Sequence, residues 1–101
     1  MLVDAALEHV PALIRSAVAG IPRSSITDID GSTAVITQRS GVLIPRAEVI
    51  TLGFRPAEDG LVEVVILAAR RGGLTAPDAV LSQFERSLLA SIRTASKKAR
   101  H

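Results

Sequence analysis

The sequence predicts an α+β fold: an antiparallel meander sheet of four to five strands, with an N-terminal helix and a long C-terminal helix packed on one face. Three observations predict it. The stretches AEVITLGFR (47–55) and LVEVVILAARR (61–71) are rich in β-branched residues and place alternate side chains on opposite faces. Asp30-Gly31 and PAEDG (56–60) supply turn residues between β-rich runs at hairpin spacing. Apolar residues recur every three or four positions over residues 10–21 and 81–95, the period of a helix with one buried stripe.

The elements follow in order. Val3, Ala5 and Leu7 alternate with Asp4, Ala6 and Glu8, which suits a short strand, although Val3, Leu7 and Val10 would equally extend a helical stripe backwards. The first helix carries Val10, Leu13, Ile14, Ala17, Val18 and Ile21 on one side and begins near His9. Pro11 fits there, because a proline lacking its N–H is tolerated in the first turn. Gly20 to Arg23 end the helix. Strands near 24–30 and 33–40 flank Asp30-Gly31, where glycine can supply the positive φ of a tight turn. In the next two strands Ile50, Leu52 and Phe54 share a face, as do Val62, Val64, Ile66 and Ala68. The chain then turns through RRGGLTAPD into the last helix. Thr75 and Asp78 have capping-box spacing there, Pro77 suits the first turn, and Leu81, Phe84, Leu88, Ile92 and Ala95 form the stripe that crosses the sheet, with Glu85, Arg86 and Arg93 off it.

Composition narrows the function. A chain of 101 residues makes a single domain, 1–101, with one core. The absence of cysteine excludes a disulfide scaffold, a thiolate metal site and a thiol nucleophile, and fits a reducing compartment. Asp4 and Glu8 stand where a secretory signal needs a basic start, and the longest apolar run, Val64 to Ala69, is too short to cross a bilayer, so a cytoplasmic protein is expected. Residues 93–101 hold Arg93, Lys97, Lys98 and Arg100 and no acid, and end in a basic tail near 96–101 that could attract nucleic acid or an anionic membrane surface. Its plainer role is to offset the helix dipole. With no Trp or Tyr and only Phe54 and Phe84, a stacking platform for single-stranded nucleic acid is missing.

At this level of organisation the chain resembles small bacterial domains of uncharacterised function with a helix-grip-like layout, similar in outline to the repeated domains of the outer-membrane assembly lipoprotein BamC. The residues that carry the resemblance are VDAALEHV, ITDIDGSTAVITQRSG, RAEVITLGF, LVEVVILAARR and DAVLSQFERSLLASI, which together cover most of the chain. The aromatic and aspartate-glycine positions often found near the third strand and last helix of such domains hold Leu43, Ile44 and Ala79 here. The resemblance implies a scaffold or assembly role and no catalytic residues.

Few residues suggest chemistry. Asp28 and Asp30, two apart on a strand, would point to one side as a hard cation prefers, but no third acid or histidine is near, and Asp30 is better placed as the turn residue. His9 has no serine, cysteine or paired acid in a motif, so a helix cap is the simpler role. Arg70, Arg71, Gly72 and Gly73 precede a helix start and form a possible anion cradle, although the spacing matches no phosphate-loop motif. Val42, Leu43, Ile44, Val49, Val65 and Leu67 form a possible interface on the sheet face away from the helices, since burying each would gain about 1.5–3 kcal/mol. The expected protein is a non-enzymatic interaction or scaffold module, without cofactor or metal, that self-associates or docks through that face. The alternative is an anion-, nucleotide- or phospholipid-binding domain using the loop at Arg70–Gly73.

Overall fold

The computed structural model describes residues 1–40, 46–71, 74–75 and 83–99. In chain order these form β1 (Leu2–Val3), a 3-10 turn (Leu7–His9), α1 (Val10–Ala19), β2 (Ser24–Ile29), β3 (Thr33–Ser40), β4 (Arg46–Pro56), β5 (Val62–Arg71), β6 (Leu74–Thr75) and α2 (Gln83–Ala99). The sheet runs β1-β5-β4-β3-β2, with β6 also paired to β5, and every pairing is antiparallel. This is the α+β meander that the alternating stretches and hairpin signals predict. The first residues divide the two expectations: β1 is a strand of two residues, tied by the Met1 ammonium to the Val64 carbonyl at 2.9 Å, and helical turns begin at Leu7.

Both helices cover one face. Ile36, Ile50, Leu52, Phe54, Val62 and Val64 from the sheet form one buried cluster with Val10, Leu13, Ile14, Ala17 and Val18 of α1 and Phe84, Leu88 and Ile92 of α2. Pro11 sits in the first turn of α1, where its missing N–H costs no helical bond. Glu85 departs from the helical-stripe expectation, because its position is buried at 3 % exposure beside Phe84. The basic tail is also revised: α2 continues to Ala99 and buries Ser96, so Lys97 stands on the helix, not on a free end. Leu81, Pro77, Asp78 and Arg100 lie outside the described residues.

The turns are built differently from the glycine expectation. Gly31 does not take a positive φ. The β2–β3 turn is instead closed by Asp30, whose Oδ1 accepts from the Ser32 and Thr33 amides at 2.8 and 2.7 Å while Oδ2 accepts from the Thr33 hydroxyl at 3.1 Å. An aspartate can thus close a turn with its carboxylate in place of left-handed backbone. In the β4–β5 turn Gly60 does take φ +73, next to Asp59 at φ 61. At the end of α1, Gly20 keeps a right-handed φ of −88, and the helix is closed by the Ser24 hydroxyl, which reaches the Ile21 and Val18 carbonyls at 2.7 and 3.0 Å.

Two bulges break the simple alternation. On β2 the register steps from Ile26↔Ile36 to Asp28↔Val35, which leaves Thr27 as the extra residue. On β5 it steps from Ile66↔Leu52 to Ala68↔Thr51, which leaves Leu67 extra. Because one inserted residue reverses the facing of everything after it, Ala68 does not share a face with Val64 and Ile66. It pairs with Thr51 on the open side, and Ala69 takes the core side opposite Ile50.

Candidate functional site

The register defines the face that the helices leave open. Its rows run Arg55–Glu63–Leu2, then Thr33–Gly53–Val65, then Asp28–Val35–Thr51–Ala68, then Ser25–Thr37–Val49–Arg70, and finally Arg39–Ala47. Val49 and Val65 are half-buried and Leu67 is 59 % exposed. All three therefore lie on the face expected for them. Val42, Leu43 and Ile44 fall outside the described residues. Leu2, which sequence reasoning did not single out, joins them: it is 56 % exposed, and its pairing with Glu63 sets it on the open side. The two exposed large apolar side chains of the described core sheet are thus on one face. Signal for Leu2 was present only as an apolar residue one place out of step with Val3.

This face is less greasy than a row of valines suggests. Thr33, Thr37 and Thr51 alternate with Val35, Val49 and Val65, and the Thr27 and Thr37 hydroxyls stand 2.9 Å apart. Threonine offers a methyl to a docked surface and a hydroxyl to water, which makes such a face tolerable when bare. Leu67 is the exception. It lies across Gly53, where an added Cβ would stand 2.8 Å from its Cδ1. At the edge of the face Arg55 Nη2 and Nε hold Glu63 Oε1 at 2.6 and 2.9 Å. With Arg55 75 % exposed, that pair is screened and contributes no more than about 1 kcal/mol.

Arg70 and Arg71 close β5, as the sequence implies, and pair with Thr75 and Leu74 of β6. β6 places the backbone of residues 74 and 75 in a ladder with residues 70 and 71, and residues 76–82, where the helix start is expected, lie outside the described residues. Arg70 is exposed on the open side, and Gly72 and Gly73 lie outside the described residues.

Other candidates separate. Asp28 faces the open side in β2, while the Asp30 carboxylate is engaged by the turn; its pKa is held below the usual carboxylate range by the Ser32 amide and then the Thr33 amide. His9 occupies the cap position of α1 without a side-chain capping bond, contrary to the expected cap, and is exposed. A shallow hollow of about 510 Å³ beside the end of α1 is lined by Gly20, Ile21, Pro22, Gln38, Gln83, Phe84, Ser87 and Ser91, and His9 is not among them. Among the described residues no group of three or more His, Asp or Glu is placed to hold a metal ion, and no helix is long and apolar enough to cross a membrane.

No protein-family model matches the chain, and no curated protein resembles it closely enough to count as a relative.

Proposed function

We propose that this protein is a non-enzymatic interaction module that docks through its open sheet face, most simply onto the same face of a second copy. The observation that carries the reading is the shared placement of Leu2 and Leu67, both more than half exposed, on the side that the helices leave bare. Val65, between them, and Val49, beyond Leu67 in the row of Arg70, are both half-buried and would complete a contact of short β-branched side chains, the kind that two twisted sheets stack at about 10 Å. A two-fold pair needs only one surface to be complementary to itself, which makes a second copy the economical cover. The likeness in element order to BamC-type domains supports a scaffold role in the same sense. Sedimentation velocity over a wide concentration range tests the reading. A dimer that forms with rising concentration and is lost in Val49→Lys is expected; a monomer at every concentration would contradict it.

A further inference from the structure

Register gathers arginines that the chain keeps apart. The Arg39 amide donates to the Arg23 carbonyl at 3.0 Å, which puts Arg23 beside Arg39 at the start of β2. Arg46 opens β4 opposite Ser40, and Arg70 and Arg71 close β5 opposite Val49 and Glu48. Five of the chain's ten arginines therefore lie at one end of the sheet, and among the described strand residues only Glu48 accompanies them as an acid. The other end is the reverse. Asp30 sits in the β2–β3 turn, Glu58 and Asp59 in the β4–β5 turn, and Glu63 at the start of β5, with Arg55 and the Met1 ammonium as cations. The sheet is an electric dipole along its strands.

We propose that the arginine end seats this protein on an anionic lipid surface, with the strands directed at the bilayer and the acidic end turned away. Three features favour a membrane. First, the arginines form a rim, not a pocket. Arg23 and Arg70 are separated by three strand spacings, roughly 14 Å, with Arg39 between them, and register puts Arg39 and Arg70 on the open side. Cations spread in this way cannot converge on one small phosphate, yet all can approach a flat charged plane together. Second, a planar field aligns a dipole, and the sheet with its turns carries unlike charges at opposite strand ends. Third, the chemistry suits headgroups: guanidinium forks grip phosphate oxygens two at a time, while Phe54 and Phe84 are both buried and offer nucleic-acid bases no stacking surface.

Arg39, Ala47 and Arg70 lie at one end of the open face, but the test varies none of the apolar residues proposed for docking. Co-sedimentation with vesicles of neutral phosphatidylcholine, and of the same lipid mixed with anionic phosphatidylglycerol, measures partitioning. Binding to the anionic vesicles alone, weakening with salt, is expected. Each cation near such a surface adds about five-fold to the partition coefficient, so Arg39→Gln with Arg70→Gln should lower it roughly 25-fold. Removing Lys97, Lys98 and Arg100 should leave most of the binding in place. Unchanged melting of Arg39→Gln/Arg70→Gln verifies the fold; if that variant melts early, Arg23→Gln, outside the ladder, takes its place. The lack of cysteine allows an orientation test: a polarity-sensitive dye on Ala47→Cys should shift to the blue on vesicles, and on Asp59→Cys should not. No binding, loss confined to the tail variant, a shift at residue 59, or equal affinity for a duplex oligonucleotide at matched salt would each overturn the proposal.

Discussion

Leu67 rests on Gly53. The leucine is the extra residue of the β5 bulge, and its side chain lies where a β-carbon of residue 53 would be, 2.8 Å from Cδ1. A glycine in mid-strand is costly by itself, because it orders the most flexible backbone and packs no side chain. Here the vacancy makes a seat for the bulged leucine. The two residues are therefore coupled, and their coupling is measurable. In a Leu67→Ala background, Gly53→Ala should stabilise by about 0.5–1 kcal/mol through strand propensity. In the wild type the same change forces Leu67 off its seat and should be neutral or slightly destabilising. Urea denaturation of the four proteins gives the cycle; equal effects in both backgrounds would remove the coupling.

Ser24 ends α1 from outside the helix. Its hydroxyl lies within reach of the Ile21 and Val18 carbonyls, half-buried between α1 and β2. Ser24→Ala should cost about 0.5–1.5 kcal/mol, the usual range for a lost net hydrogen bond. Ser24→Thr should recover part of this loss. Chemical denaturation distinguishes them.

Arg23 holds a left-handed backbone at φ 60, a conformation that costs an L residue roughly 1–2 kcal/mol and glycine almost nothing. Arg23→Gly should raise the melting temperature while weakening vesicle binding. A fall in both would mean that the arginine side chain supports the fold.

Asp30 makes the acid side of the stability profile specific. Its carboxylate is held below the ordinary value of 3.8, first by the Ser32 amide and then by the Thr33 amide, so the folded state prefers the ionised form. The stabilisation is complete above the unfolded value and is lost as pH falls through the lowered folded one. Melting temperature should therefore drop on acidification below 3.8, and Asp30→Asn should show a shallower drop over the same window.

How much was readable before folding depends on the range over which each residue acts. The alternation of Ile50, Leu52 and Phe54 is a property of neighbours, and it survives intact as the core face of β4. Ala68 is not so simple, because the bulge at Leu67 follows from how β5 meets β4, and a single strand carries no mark of it. Likewise the Asp-Gly pair announces a turn, but not that the carboxylate closes it while Gly31 keeps an ordinary φ. Leu2 became visible only through its pairing with Glu63. The arginine end is the extreme case: Arg23, Arg39 and Arg70 are well separated in the chain and come to one end of the sheet only through register.

The docking account rests on the open face, and methyl groups report on it directly. With a soluble paramagnetic agent present, NMR line broadening of the Leu2, Val49, Val65 and Leu67 methyls should fall as protein concentration rises, while the buried Leu52 and Leu88 methyls stay unaffected throughout. Broadening of the face methyls that is the same at every concentration would contradict the account.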